Sequence, residues 1–239
     1  MIGFFSAISA VLCWTFACSI WRGESEKLVP RQINIYKNFL ASIFFLPVLF
    51  SINWISDISS IFVLMISGIV GISIGDTLYI NSLKILGTRK TLSFEALTPI
   101  IATTVGAFSI NEIYPQKVWI GSFIVSFSLF IIVCQNTYEK ENSNETNIIG
   151  ILSALGSVLC AVFAALMSRI VLISSTLTPL QTTEIRLLSS SIFLLLFFKE
   201  DFSHILKNKS ITKKSHLNLF ISTFLGTNCC ILFQQIVFK

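Results

Sequence analysis

The sequence predicts an all-α polytopic membrane protein that consists of inverted five-helix repeats, the second of them incomplete. Three observations lead to this fold class. Hydrophobic residues occupy 54% of the 239 positions and charged residues only 12%, about half of the charge that a soluble domain carries. Apolar segments of about 20 residues, the length that crosses a bilayer as a helix, recur along the chain. A segment near residue 150 also repeats the amino-terminal segment.

About eight apolar segments are long enough to be predicted as membrane helices. Polar stretches such as "RGESEKLVPR" and "NTYEKENSNETN" separate them. Helices are expected rather than a β-barrel, because lipid offers no partner to unpaired backbone groups and barrel-like alternation is missing. Pro99 falls inside the fourth segment and is expected to kink it. The predicted spans are 2–21, 32–52, 60–83, 91–110, 117–135, 148–172, 179–198 and 217–238.

The internal repeat aligns residues 3–22 with residues 150–169, and nine of these twenty positions are identical. Apolar composition alone would match leucine, isoleucine and phenylalanine, but not glycine, proline and basic positions together. The repeat is therefore a property of the fold. Aligned pairs in the next two spans are Pro30 with Pro179, Lys37 with Arg186, Ser67 with Ser222 and Gly71 with Gly226.

The repeat divides the chain into two units of opposite orientation. The first unit, residues 1–136, holds five predicted spans, an odd number, so the second unit must enter the membrane upside down. Basic side chains concentrate in the loops of one membrane face, as the inversion requires. A polar linker, 137–147, leads to the second unit, 148–239, which holds only three spans. Because two spans have no counterpart there, we expect a truncated chain that is inactive as a monomer.

Short motifs of the first unit have the order and spacing of a known transporter family. They are the Gly, Ser-Ala, Trp and Arg22 positions of the opening "GFFSAISAVLCWTFACSIWR" (3–22), Pro30 ahead of a basic residue, "GDTLYINSLKILG", "LTP" (97–99) followed by Glu112, and "GSFIVSFSLFIIV" (121–133). In these motifs the chain resembles the EamA type of the drug/metabolite transporter superfamily, which has two tandem five-helix repeats. The resemblance implies a secondary transporter for small metabolites, amino acids or drug-like solutes, with a cavity between the repeats.

Ionisable and polar side chains within the spans are the candidate substrate and coupling residues, because a charge inside a bilayer usually faces a cavity or a partner. Asp76 lies roughly 12 Å inside its span, too deep for its short side chain to reach water. Tyr79 follows one turn later on the same face. Lys37 and Glu95 lie at similar depths and are able to pair. The full candidate set is Asp76, Tyr79, Glu95, Lys37, Glu184 and Arg186.

Two other functions remain open at this stage. One is a non-transporting remnant or a membrane scaffold, which the missing spans allow. The other, an intramembrane enzyme, is less favoured. The stretch "SIGD" is similar to the "GxGD" of intramembrane aspartyl proteases, but its first glycine is Ser73 and the other aspartates, Asp57 and Asp201, lie in loops. That chemistry needs two carboxylates that share a proton.

The expected partners follow from the same features. No cofactor or metal is expected, because the chain lacks a C-x-x-C motif and both histidines fall in one charged loop. The lipid bilayer and a small-molecule solute are expected partners, with coupling to protons or another cation. A homodimer is a further option, whereas nucleic acid is not expected. The predicted location is the plasma (inner) membrane.

Overall fold

The computed structural model describes residues 2–52, 54, 57–109, 113–135, 144–202 and 213–238, and the regular secondary structure of these ranges is helical throughout. The predicted all-α class is therefore confirmed. In chain order the helices are α1 (Ile2–Glu24), α2 (Pro30–Phe45), α3 (Ile58–Gly68), α4 (Asp76–Glu95), α5 (Thr98–Ser109), α6 (Gln116–Gln135), α7 (Asn144–Ser174), α8 (Pro179–Phe197), α9 (Lys213–Thr223) and α10 (Cys230–Phe238).

Six helical stretches of the described residues are long and apolar enough to cross a membrane, which identifies an integral membrane protein. Their outer faces carry large apolar side chains, for example Phe4 and Leu12 on α1 and Leu196 on α8, each more than half exposed. In a bilayer such faces contact lipid. The six stretches are Gly3–Glu24, Pro30–Ser51, Ile58–Glu95, Ile148–Ser174, Pro179–Phe197 and Lys213–Val237.

The region of the fourth predicted span differs from the expectation of one helix over 91–110. The chain stays helical as far as Glu95, interrupted only at Gly87, whose φ of 80° favours glycine. A new, shorter apolar helix, α5, begins at Thr98. Pro99 therefore stands in the first turn of α5, where a missing N–H costs no hydrogen bond, and the expected kink is wrong. The fifth predicted span forms the 20-residue helix α6.

Two π-helical segments interrupt the two units at aligned positions. The first, π1 (Ile69–Gly75), joins α3 to α4, and the second, π2 (Phe224–Cys229), joins α9 to α10. The alignment that pairs Gly71 with Gly226 superimposes these two segments. A π-bulge widens a helix and frees backbone carbonyls, and such bulges often occur at functional sites.

The second helix of each unit also begins in the same way. Pro30 and Pro179 stand in the first turn of α2 and α8. Gln32 and Gln181 each accept a hydrogen bond from the backbone N–H three residues earlier, at 3.2 Å and 2.8 Å. Only the cap of α8 is reciprocal, because the Gln181 N–H donates in return to Thr178 Oγ1 at 3.3 Å, whereas Val29 has no side-chain acceptor. The capped starts of α2 and α8 lie at opposite ends of this helix pair.

Helices of each unit pack against helices of the other unit. α1 runs along α9, π2 and α10, whereas α7 runs along π1 and α4, and α2 packs against α8. A small apolar cluster is buried where α2, π1, α8 and α10 meet. Its buried members are Ala41, Ile72, Leu187 and Ile231.

Candidate functional site

The centre of the candidate site is an ion pair between α2 and the first residue of α4. The Lys37 ammonium donates a hydrogen bond to the Asp76 carboxylate. The Lys37 side chain is fully buried and that of Asp76 is 17% exposed. Asp76 thus points into the protein, where the sequence analysis expects it. The partner of Lys37 differs from the one expected from the sequence, because Lys37 pairs with Asp76 and not with Glu95.

The π1 segment positions Asp76 at this point. Asn34, one turn before Lys37 on α2, donates from its amide nitrogen to the carbonyl oxygens of Ile72 (2.9 Å) and Ser73 (3.0 Å) and to Thr77 Oγ1 (2.8 Å). The bulge leaves such carbonyls without their usual helical donors, and a buried carbonyl needs a partner. Asn34 therefore fixes the end of π1, which immediately precedes Asp76.

Aromatic side chains of α1 line the pair on one side. The Lys37 Nζ lies 5.2 Å above the centroid of the Trp21 ring, within cation–π distance. Trp14 contacts Trp21 edge to face, with 5.3 Å between ring centroids, and Trp14 and Tyr79 have the same separation. Trp14 Nε1 donates to Glu95 Oε1 at 3.1 Å. The aromatic residues thus link Glu95 to the Lys37–Asp76 pair.

Tyr79 is buried on the same side of α4 as its predicted neighbour Asp76. Its exposed fraction is 3%, and its hydroxyl lies 3.1 Å from the Cys18 Sγ on α1. Four of the six candidate residues, those of the first unit, therefore lie in one polar and aromatic cluster. They are Lys37, Asp76, Tyr79 and Glu95.

The two candidates from α8 are buried without hydrogen-bond partners. Glu184 is 0% exposed and neither of its carboxylate oxygens has a partner. Arg186 is 5% exposed, and its Nε and Nη1 atoms have none either. Arg186 reaches the first unit at π1, where a Cβ added to Gly71 would stand 3.4 Å from its Nη2. Its guanidinium thus lies beside π1, the segment that ends immediately before Asp76.

The contacts between the units are reciprocal around this site. A Cβ added to Gly71 would lie 2.5 Å from the Cβ of Ala164, and one added to Gly226 would lie 2.2 Å from that of Ala17. The sequence repeat aligns the two glycines and also the two alanines. Ser73 in π1 likewise contacts the Ser190 carbonyl (3.3 Å), and Asn228 in π2 contacts the Ala41 carbonyl (3.0 Å). The two units therefore pack through equivalent surfaces, and π1, which ends immediately before Asp76, lies in one of them.

The polar and aromatic cluster is mostly buried in this conformation, since Lys37 is fully buried and Tyr79 is 3% exposed. A cleft of about 360 Å³ lies elsewhere, between α5, α6 and α7, where Pro99, Tyr114 and Arg169 belong to its lining. None of the six candidate residues lines it. Among the residues that the structure describes, no group of three or more His, Cys, Asp or Glu side chains could hold a metal ion. Glu112, residue 136 and the linker residues 137–143 lie outside the described ranges.

Four residues of the site are not among the six candidates predicted from the sequence: Trp14, Trp21, Asn34 and Asn38. Asn38 donates to Asn34 Oδ1 (2.9 Å) and to Ser190 Oγ on α8 (3.2 Å), so it connects the π1 cap to the second unit. The available signal was two asparagines four residues apart within an apolar span. A search for charged residues passes over uncharged amides, although they are also costly to bury without partners.

Residues 1–134 match the model of the EamA-like transporter family. The chain belongs to the EamA-like transporter family. Membership makes the protein a transporter-family member that is integral to the membrane, and the members of this family are transporters rather than enzymes. The resemblance noted from the motifs is thereby confirmed.

A solved structure supports the fold across both units of this EamA-like protein. It is titled only "Crystal structure of protein", and it matches with a TM-score of 0.71 at 14% sequence identity. The match covers 99% of this chain and 79% of that chain. No curated protein matches the sequence significantly. At this identity the likeness concerns the fold alone.

Proposed function

We propose that this EamA-like protein is a secondary transporter that moves a small organic solute across the plasma (inner) membrane. Small metabolites, amino acids and drug-like solutes are the candidate classes. The observation that carries the proposal is the buried Lys37–Asp76 pair, walled by Trp21 and next to the contacts between two packed units. Charges this deep in a membrane helix are costly and are typical of solute and ion pathways.

The aromatic rings and the ion pair have separate tasks in this proposal. Trp14, Trp21 and Tyr79 offer apolar surface and polar edges to the organic part of a solute. Lys37 and Asp76 exchange their mutual contact for contacts with polar groups of the solute. Because the cluster is mostly buried here, the solute reaches it when the two units move apart on one side, as alternating access requires.

Proton coupling is the second part of the proposal. Glu184 is a buried carboxyl without a hydrogen-bond partner, and Glu95 is held by Trp14 next to the ion pair. A carboxyl group that is alternately buried and opened to water takes up and releases a proton, because burial disfavours its charged form. Proton relays in transporters consist of such groups.

The test is uptake into proteoliposomes that contain the purified protein. A panel of labelled amino acids, organic acids and cationic drugs would be offered with and without an imposed pH gradient. We expect saturable uptake of at least one solute, stimulated by the gradient and abolished in Asp76→Asn and Lys37→Gln. The exposed residues Glu26 and Lys84 provide matched controls, Glu26→Gln and Lys84→Gln, which should transport normally.

Two results would contradict the proposal. Uptake that is equal in Asp76→Asn and Glu26→Gln would remove the buried pair from the pathway. Failure to accumulate any solute above empty liposomes, with the protein folded and inserted, would favour a non-transporting scaffold.

A further inference from the structure

Among the described residues Arg186 forms no ion pair, whereas its counterpart in the first unit does. The repeat aligns Arg186 with Lys37, and Lys37 is neutralised by Asp76. The alignment that pairs Gly71 with Gly226 places Ile231 at the position of Asp76. Ile231 is 8% exposed and belongs to the apolar cluster with Ala41 and Leu187. The second unit thus keeps the buried cation of the first unit and replaces its carboxylate with a hydrocarbon.

No described carboxylate makes a close contact with Arg186; the charge of Asp76 acts on it from a distance, but Asp76 itself is bound to Lys37. The Arg186 Nε and Nη1 atoms are buried and have no hydrogen-bond partner. The nearest carboxylate in sequence, Glu184, leaves α8 on a different side, because residues two apart do not face each other on a helix. Both of its oxygens are likewise without a partner. A guanidinium presents five N–H donors in a planar fork that matches carboxylate and phosphate oxygens.

A further buried donor, Gln235 Nε2, belongs to a side chain that contacts α8 one turn before Arg186. Thr182, four residues earlier on the same face of α8, donates to Gln235 Oε1 at 3.2 Å, and Ser168 donates to the same oxygen at 2.7 Å. These two bonds fix the Gln235 carboxamide. Its Nε2, on a side chain that is 0% exposed, has no partner. Unsatisfied donors therefore occur on both α8 and α10, and Thr182, which contacts Gln235, stands one turn from Arg186 on α8. Buried donors normally have acceptors.

We infer that Arg186, assisted by Gln235, binds the carboxylate or phosphate group of an anionic solute. The solute neutralises Arg186 in the same way as Asp76 neutralises Lys37. The inference rests on the proposed function, and it names the substrate class. A free solute is favoured over a lipid headgroup, because Arg186 is the eighth residue of α8, roughly 10 Å from its start. Since Arg186 is closed off in this conformation, the anion enters when the units separate.

The experiment measures thermal unfolding of the purified protein in detergent with added phosphatidylcholine. Sodium phosphate, sodium acetate and sodium succinate are the probes, against sodium chloride and choline chloride at equal ionic strength. A ligand at tenfold excess over its Kd should raise the Tm by roughly 3–6 °C. A parallel sample with phosphatidylglycerol in place of phosphatidylcholine tests the lipid headgroup. A shift produced only by phosphatidylglycerol would overturn the assignment to a free solute.

Three variants make the inference falsifiable. Arg186→Gln should lose the oxyanion shift while its own Tm without ligand stays equal to or above that of the wild type, because an unpaired buried charge is removed. Arg186→Lys should retain a reduced shift. Ile231→Asp should lose the shift by supplying an internal carboxylate. Lys84→Gln, an exposed control, should respond as the wild type does.

The outcomes separate this inference from the proposed function. An oxyanion shift that survives in Arg186→Gln, or no shift beyond that of chloride, overturns the inference. Gradient-driven uptake of only neutral or cationic solutes, without an oxyanion shift, would support transport and refute the anionic substrate. An Arg186-dependent shift without any uptake would support the binding site and refute transport.

Discussion

Gly226 packs directly against Ala17, so closely that an added Cβ would stand 2.2 Å from the alanine Cβ. This contact joins π2 of the second unit to α1 of the first. Its counterpart, Gly71 against Ala164, joins π1 to α7. Small residues at such positions let two helices approach in a membrane, where association depends on close packing rather than on the hydrophobic effect.

We predict that Gly226→Ala destabilises the protein by about 1–3 kcal/mol through overpacking. Gly121→Ala is the control, since a Cβ there meets no atom within 4 Å, and it should be neutral or stabilising because alanine favours the helix. The measurement is thermal unfolding in detergent. Adding Ala17→Gly to Gly226→Ala should recover part of the loss, because the Trp21 ring, 2.9 Å from the added Cβ, still crowds it. Equal stability of Gly226→Ala and Gly121→Ala would disprove the contact.

A second prediction concerns the Lys37–Asp76 pair as a unit of stability. Each single variant, Lys37→Met or Asp76→Leu, leaves a buried charge without its partner and should cost about 3–5 kcal/mol. The double variant removes both charges and should be close to the wild type in stability, yet inactive in uptake. Chemical denaturation of the three variants gives the coupling energy. Additive losses in the double variant would mean that the two charges do not interact.

A third prediction tests the cap on π1. Asn34→Ala removes the donor to the Ile72 and Ser73 carbonyls and should cost about 1–3 kcal/mol. Asn81 is a suitable comparison because its amide donates to a single group, Ser153 Oγ, at 2.9 Å. Asn81→Ala should cost less in the same unfolding assay. Asn34→Ala should also reduce uptake, because π1 orients Asp76, and unchanged uptake would separate the cap from the site.

A fourth prediction concerns the contacts that join α2 and α8 at their two ends. At one end Arg31 Nε donates to Asp201 Oδ2 at 2.6 Å and the guanidinium lies 4.2 Å from the Phe198 centroid. At the other end Gln181 Nε2 donates to the Ser51 carbonyl at 2.9 Å. Only the first end depends on charge. A partly exposed pair of this kind contributes at most about 1 kcal/mol and weakens as salt rises.

Hydrogen exchange of the protein in nanodiscs at low and high salt would measure this difference. High salt should accelerate exchange around Arg31 and Asp201 and leave the Gln181 end unchanged. Arg31→Gln should exchange at the fast rate under both conditions. Equal salt responses at the two ends would show that charge does not distinguish them.

The membrane class and the helical class were determined by the sequence alone. Lipid restricts a spanning segment to a helix of known length, so apolar segments such as 2–21 and 179–198 predict helices with few alternatives. The repeat was also visible, because Gly71 and Gly226 face the same packing requirement in both units. The cost of a charge in hydrocarbon likewise placed Asp76 in the interior without any coordinates.

Helix breaks and pairings were decided by the tertiary structure. Pro99 begins a helix rather than kinking one, since its position depends on the interruption at Gly87 and the turn after Glu95. The partner of Lys37 was not readable, because depth along a helix does not fix which neighbouring helix it faces. The π1 and π2 bulges, and with them the role of Asn34, arise where two units pack. Such packing is a property of non-local contacts, which local sequence patterns do not encode.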